Sequence, residues 1–233
     1  MGTPMIFDFH SDTPAGKDPD SFSPALRKYH QLLWSKELPT GSHFDLTMEP
    51  RAYLVHRSSS GVFFLSSDAI TTRLRKKAWR VIRDIPESDL PEYLGYTPGS
   101  ILVFPGNMIG GKPTINGARG LHPRIADRFD LTLECIRRHY LGEPSPLGDV
   151  LLRYAEFFAL FGDFAGYVKF FLLEDLVEDD GKTIRFFHPF ADFRTPAVPK
   201  NRDEYLEYLR LSNAFISARN RRIDEELDGR IAR

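Results

Sequence analysis

The sequence predicts one α+β domain, in which a small, mostly antiparallel sheet packs against a helical core of about five to six helices. The chain has 233 residues, of which 42% are hydrophobic, so it can bury a core without a disulfide or a structural metal. Strand-like segments lie near residues 53–66, 101–116 and 183–188, and helical spacing of apolar residues covers residues 124–177. These two patterns together favour the α+β class.

The N-terminal segment is predicted to be an arm, followed by the first helix. Residues 1–23 contain prolines among Asp, Ser and Gly, which favours an extended arm with turns, and residues 24–233 are assigned to a single globular domain. Ser23 followed by Pro24 is typical of a helix start, with the serine as N-cap and the proline in the first turn. We therefore expect a helix from Pro24 to Trp34.

The central part of the chain predicts the sheet and a basic helix. Tyr53 to His56 and Val62 to Ser66 are β-rich and are joined by a serine-rich loop, which predicts a hairpin. Ile101 to Phe104 and Thr183 to Phe187 are further strand candidates. Thr72 to Ile85 is predicted as a helix with an apolar inner face; its outer face carries Arg73, Arg75, Lys76, Lys77, Arg80 and Arg83.

The second half of the chain is predicted to be mainly helical. Apolar residues at helical spacing predict a helix from Pro123 to Tyr140, and a second helix begins at Ser145-Pro146. Phe164 to Val177 is apolar almost all round, which predicts a central buried helix. A last helix is expected from Asp203 to about Leu227.

Composition limits the compartment and the partners. The net charge is −1, so phosphate recognition would have to come from a local patch rather than from the whole surface. The single cysteine, Cys135, excludes a disulfide within the chain and fits a reducing cytoplasm. It lies beside the apolar stripe of its helix and is expected to be a buried hydrophobe. No signal-peptide pattern and no membrane-length apolar run occur, so we expect a cytoplasmic protein without a membrane partner.

The main candidate site is a glycine-rich loop, residues 110–120, which carries Lys112, Asn116 and Arg119 and precedes a helix with Arg124. Glycines let a ligand approach the backbone, and a helix N-terminus with arginines favours an anion. The spacing fits neither a P-loop nor a dinucleotide fingerprint. The alternative is a plain structural turn in which Arg119 pairs with a nearby acid.

Two further groups of residues are candidates for catalysis. Asp8, His10 and Asp12 would share one face if the arm were extended, and could then form an acid–base group or bind a divalent metal. The alternative is a polar arm with Asx turns. His56, Ser66 and either Glu134 or Glu156 could take the roles found in ADP-ribosyltransferases, although no Glu-x-Glu motif is present. In the alternative, Ser66, Ser67 and Asp68 cap a helix.

Several long blocks together resemble a known family. They are SDTPAGKDPDSFSPALRKYHQLLWSK, TINGARG, IADRFDLTLECIRRHY and SPLGDVLLRYAEFFALFGDFAGYVKFFLLEDLV. They resemble an uncharacterised family of bacterial and phage-associated proteins of unknown function, over roughly residues 7–223. The resemblance implies a single compact unit and a bacterial origin, but no reaction, cofactor or catalytic residue.

The residues therefore predict a protein that binds a phosphate-bearing ligand, either a nucleotide or a nucleic-acid segment, through Lys112, Asn116, Arg119 and Arg124. If it is an enzyme, Asp8, His10 and Asp12 are the acid–base candidates, provided that the arm folds back onto the loop. Lys76 and Lys77, with Trp79 beside them, could contact a nucleic-acid backbone or form a solvated face. The alternatives are a non-catalytic protein-interaction module and an ADP-ribosyltransferase-like enzyme. No cofactor, metal or oligomeric state follows from the sequence.

Overall fold

The computed structural model describes residues 9, 11–17, 19–49, 52–70, 74, 76–95 and 97–231. It confirms the α+β class: helices are the larger component, and the strands form two small antiparallel sheets. The strands are β1 (Lys36–Glu37), β2 (His43–Phe44), β3 (Leu46–Glu49), β4 (Ala52–Ser58), β5 (Gly61–Ala69) and β6 (Ile101–Pro105).

The described helices differ widely in length, from four residues to thirty. The described helices are α1 (Pro19–Phe22), α2 (Pro24–Trp34), α3 (Trp79–Ile82), α4 (Ile115–Leu121), α5 (Phe129–Leu141), α6 (Gly148–Arg153), α7 (Ala155–Ala159), α8 (Phe164–Phe170) and α9 (Arg202–Ile231). Within the described residues, none of them combines the length and the apolar content needed to cross a lipid bilayer.

The larger sheet is antiparallel throughout, in the order β3-β4-β5-β6. The predicted hairpin is confirmed as β4 and β5, which pair from Leu54 opposite Leu65 to Ser58 opposite Gly61. Every residue of β6 is buried, because the strand pairs with β5 and is covered on both faces. The predicted strand at Thr183–Phe187 is wrong: only an isolated bridge between Val177 and Ile184 forms there.

Helix α2 begins where the sequence predicted. The hydroxyl of the N-cap Ser23 accepts a hydrogen bond from the Leu26 amide at 3.0 Å. Such a bond satisfies one of the backbone donors that a helix leaves free at its start. Tyr29, His30 and Trp34 are buried against the rest of the fold, so this helix is part of the core.

The predicted helix from Pro123 to Tyr140 is shorter than expected, because α5 begins at Phe129. Residues 114–121, predicted as strand and loop, instead form α4 with Thr114 as its N-cap. Between the two helices, Ala126 and Asp127 have φ values of 51° and 66°, in the left-handed region. α4 itself ends earlier, at its C-cap His122, whose ψ of 120° is extended, and the two left-handed residues lie in the turn that joins the helices.

The predicted helix from Phe164 to Val177 ends early, at Phe170, and Leu172 has a φ of 55°. The predicted helix over residues 72–85 is reduced to α3, while residues 72, 73 and 75 lie outside the described part of the chain. The last helix is confirmed and extends to Ile231. It packs across the fold and buries Arg219, whose guanidinium donates to the carbonyls of Phe171, Gly99 and Ile101.

Candidate functional site

Asp68 lies near the end of β5, opposite Leu102 of β6, and its side chain is only 4% exposed. A carboxylate in such a place needs a partner, because burial of an unpaired charge is costly. The partner is Arg119 of α4, whose Nη1 lies 2.9 Å from Oδ2 of Asp68. The pair connects the sheet to the loop-and-helix segment that the sequence singled out.

Protein oxygens surround the guanidinium of Arg119, which is fully buried. In addition to Asp68, its Nη1 donates to the Ala69 carbonyl at 2.6 Å, and its Nη2 donates to the Asp127 carbonyl at 2.9 Å and to that of Ile70 at 3.5 Å. The structure therefore corrects the anion-binding prediction for Arg119: protein acceptors occupy its fork, as in the alternative of a structural turn. An external anion cannot reach it in this arrangement.

Asp127 completes an acid–arginine–acid cluster. Its Oδ1 lies 3.6 Å from Nε of Arg119, and its side chain is 31% exposed, so one side of the carboxylate reaches the surface. Asp127 and the preceding Ala126 both have positive φ, which costs of order 1–3 kcal/mol per non-glycine residue. Two hydrogen bonds with Arg119 hold this backbone. The Asp127 amide donates to the Arg119 carbonyl at 3.1 Å, and the guanidinium donates to the Asp127 carbonyl. Strain of this kind is concentrated at functional sites.

These acids line a pocket of about 310 Å³ beside the end of β5. Its polar lining consists of Ser67, Asp68, Asn116 and Asp127. The rest of the wall is mainly apolar and is formed by Phe9, Pro19, Leu26, Ala69, Tyr93, Gly95 and Ile101. A small cavity with apolar walls and a few converging polar groups is the usual form of a ligand site, at the lower end of the range of roughly 300–1,000 Å³.

The electrostatics of the cluster favour proton exchange at Asp68. Burial raises the pKa of Asp68 to about 6, and Asp127 acts in the same direction, whereas Arg119 opposes the shift. Burial also tends to lower the pKa of Arg119, but the two carboxylates outweigh it and the pKa is raised. Arg119 therefore stays charged, and the raised pKa of Asp68 brings its protonation closer to neutral pH than that of an ordinary aspartate.

The N-terminal arm does reach this pocket. Phe9 is buried, lies 5.7 Å from the ring of Tyr29 and forms part of the pocket wall. Its neighbours Asp8 and His10, two of the three predicted catalytic residues, lie outside the described residues. The expected extended conformation is wrong for the described part, because Phe9, Ser11 and Asp12 lie in turns.

Asp12, the third predicted catalytic residue, has a structural contact instead. Its Oδ2 accepts a hydrogen bond from the Ala25 amide at 2.9 Å, in the first turn of α2. A carboxylate at this position also interacts favourably with the helix dipole. The structure therefore corrects the assignment of Asp12: it supports the start of α2 and is not among the residues that line the pocket.

The predicted anion-binding residues do not converge. Lys112 lies in a turn closed by a bridge to Ile109, in which Gly110 and Gly111 take positive φ, and its side chain is exposed. Arg124 is exposed in the turn after α4. Asn116, in the first turn of α4, is the one member of the predicted set that lines the pocket.

The ADP-ribosyltransferase-like arrangement does not form. His56 lies opposite Phe63, and Ser66 lies opposite Phe104, so the alternation of side chains puts His56 and Ser66 on opposite faces of the sheet. His56 is buried against the ring of Phe44, and burial lowers its pKa. Glu134 is held by the guanidinium groups of Arg137 and Arg138, each at 2.7 Å, and is not free to act on a ligand.

Sequence reasoning missed the residues that form the centre of the cluster. The sequence offered Asp68 only in an alternative helix cap with Ser66 and Ser67, and no pattern pointed to Asp127. The sequence does place Asp68 at the end of the strand sequence FFLSSDAI, where an aspartate needs a cation beside it if the strand end is buried. Among the described residues, no group of three or more His, Cys, Asp or Glu side chains is placed to hold a metal ion. Cys135 is buried, as predicted, and burial raises the pKa of its thiol to about 12.

Comparison with known proteins identifies the family but not the activity. Searches of curated proteins and of solved structures found no match. Residues 3–223 match the model of a family described as a family of unknown function, DUF6994. This agrees with the resemblance seen in the sequence blocks, whereas the bacterial and phage association stays a prediction. Because the match covers nearly the whole chain, the protein belongs to this family of unknown function.

Proposed function

We propose that the protein binds a small organic ligand in the pocket at the end of β5, and that Asp68 exchanges a proton with it. The observation that carries the proposal is the acid–arginine–acid cluster of Asp68, Arg119 and Asp127, in which the two acids line a cavity and the arginine is buried. A raised carboxyl pKa in a cleft, with a defined charge partner, is a recognised mark of functional sites.

The lining indicates the chemistry of the ligand. Asp68 and Asp127 offer carboxylate oxygens, Asn116 offers an amide, and Phe9 and Ile101 supply apolar surface. The one cation of the cluster, Arg119, is already engaged by the protein. This set favours a neutral or cationic ligand with N–H donors on a flat apolar body, such as a heterocyclic base or an aromatic amine.

Of the predicted phosphate-bearing ligand, only the part without the phosphate suits this pocket. Because two carboxylates and one engaged guanidinium give the cluster no excess positive charge, a phosphate group would be repelled rather than held there. A nucleotide would therefore be bound by its base, with its phosphates outside the cavity. We place this binding activity in the cytoplasm, in line with the single cysteine of the chain.

The proposal is tested with Asp127→Asn. Asparagine keeps the size of the side chain and tolerates the left-handed conformation, so the turn is preserved while the carboxylate is lost. Nucleosides, aromatic amines and inorganic phosphate are compared by thermal shift and calorimetry. We expect a bound nucleoside or amine to lose affinity by about 10- to 100-fold, as when a hydrogen bond to a charged group is removed.

The control is Asp149→Asn, since Asp149 is an exposed acid in the first turn of α6 and does not line the pocket. This variant should bind as the wild type does. Equal affinity of the wild type and Asp127→Asn for every ligand that binds, or a response to inorganic phosphate that both variants share, would contradict the proposal.

A further inference from the structure

A second candidate surface lies outside the pocket, on residues 76–83. Residues 76–78 form a turn and a bend that lead into α3, and the Arg83 amide donates to the Trp79 carbonyl at 3.1 Å, so helical hydrogen bonding covers Trp79 to Arg83. Trp79 and Arg83, four positions apart on this helix, lie along one side, Arg80 follows Trp79 directly, and Lys76 lies in the turn before the helix. We call the surface formed by Lys76, Trp79, Arg80 and Arg83 the basic stripe; all four are exposed.

The apolar residues within and beside this segment face the core. Leu74, Ala78 and Ile85 are buried, with exposed fractions of 3%, 2% and 9%. Trp79, by contrast, is 62% exposed, whereas Trp34, the other tryptophan of the chain, is fully buried. The packing of the segment therefore explains its apolar side and leaves the indole of Trp79 in solvent between cationic side chains.

The segment that carries the basic stripe contacts the end of α4. Lys77 donates from Nζ to the Gly120 carbonyl at 2.5 Å, which joins the segment to the last turn of α4. Leu121, the next residue, is 75% exposed, and the exposed Arg124 follows it. Two separate parts of the chain thus meet at Lys77, and the second carries a further exposed arginine.

The cations of this surface are in excess over acids. Among the described residues, Lys76, Arg80 and Arg124 have no carboxylate within ion-pair distance, and Arg83 pairs with its exposed neighbour Asp84 at 3.1 Å. Elsewhere, exposed arginines such as Arg202 and Arg210 are paired, at 2.7 Å to Asp89 and at 2.6 Å to Glu207. In a chain of net charge −1, this is a local concentration of unpaired positive charge.

We propose that the basic stripe binds single-stranded nucleic acid. Lysine and arginine side chains neutralise the phosphates, and the indole of Trp79 stacks on an unpaired base. A single strand is favoured over a duplex because a duplex offers no free base face to an indole on a short, convex helix. This inference stands apart from the pocket at the end of β5, since the four residues of the stripe do not line that pocket.

The test uses the unequal exposure of the two tryptophans. Emission that acrylamide quenches comes from Trp79, because Trp34 is buried. Titration with an oligothymidine of about 20 nucleotides should quench this emission and protect it from acrylamide. Affinity measured by anisotropy should fall as salt rises, by about 0.7 logarithmic units per tenfold change in salt for each phosphate contacted.

Variants separate base stacking on Trp79 from phosphate neutralisation by the cationic side chains. Trp79→Ala should weaken binding by roughly 5- to 150-fold, which corresponds to the loss of one stacked base, and Trp79→Phe should restore part of the affinity. Arg80→Gln should lower the salt dependence by about one phosphate contact. The matched control is Arg194→Gln, which removes an exposed arginine outside the stripe and should bind as the wild type does.

Three outcomes would overturn the proposal. One is no binding of the oligonucleotide at low salt. Another is equal affinity for heparin or for a duplex of the same length, without quenching of Trp79, which would show a non-specific polyanion surface. The third is binding to vesicles that contain phosphatidylserine but not to the oligonucleotide, which would show a membrane surface.

Discussion

The acid–arginine–acid cluster and the basic stripe are neighbours that use arginine in opposite ways. Arg119 is fully buried and donates to Asp68 and three carbonyls, whereas Arg80 is exposed and has no described acid within ion-pair distance. Lys77 connects the two regions through the Gly120 carbonyl. The difference shows that sequence context does not reveal whether an arginine is free to bind. Glycines beside Arg119 suggested a ligand loop, yet the long-range partner Asp68 decides its role.

The largest difference between the regions is expected in stability. Arg119→Ala leaves the buried Asp68 without its charge partner, so the free energy of unfolding should fall by about 3–5 kcal/mol. Arg80→Ala removes an exposed side chain and should change it by no more than about 0.5 kcal/mol. Urea denaturation of both variants measures the contrast. If both variants lost a similar amount of unfolding free energy, the buried contacts of Arg119 would not stabilise the fold more than an exposed arginine does.

Asp68 should make the stability depend on pH. Its pKa is raised in the folded state from 3.8 to about 6, so the folded protein binds this proton more tightly than the unfolded chain does. The contribution is fully present below about pH 4 and is lost as the pH rises through about 6, by at most about 3 kcal/mol. We expect the stability of the wild type relative to Asp68→Asn to decline over this window in urea denaturation. A relative stability that rises over the same window would mean that Arg119 outweighs burial.

The smallest effect concerns the strained turn beside the cluster. Ala126→Gly should stabilise the protein by about 1 kcal/mol, because glycine adopts the observed φ of 51° without a steric penalty. The matched substitution Ala118→Gly, in the middle of α4, should destabilise it by a similar amount. Thermal unfolding of both variants distinguishes the two effects. Loss of stability in Ala126→Gly would indicate that the turn carries no strain.

The parts of the fold that depend on residues close together in the sequence were predictable. Ser23 and Pro24 set the start of α2, and the serine-rich loop set the hairpin of β4 and β5. The apolar positions of the Pro123–Tyr140 segment were also correct, since Ile125, Phe129 and Leu133 are all buried. The backbone between Ile125 and Phe129 was not predictable, because contacts with Arg119 hold Asp127 in the left-handed region.

The candidate site was predictable only in part. Phe9 and Asn116, both within the segments singled out from the sequence, do line the pocket. The pairing of Asp68 was not predictable, because its partner Arg119 lies 51 positions away, beyond any local pattern. The roles of Asp8 and His10 stay predictions, as these residues lie outside the described part of the chain.

The sequence by itself determined the α+β class, the helix and strand signals that need only neighbouring residues, and the cationic character of the segment around Trp79. The tertiary structure decided which charged side chains pair with groups inside the protein and which remain exposed to bind a ligand. Burial makes a charge dependent on whatever oxygen or nitrogen the fold brings beside it, and those partners come from distant parts of the chain. For that reason Arg119 became the buried partner of Asp68, which lines the pocket, whereas Arg80 stayed in solvent.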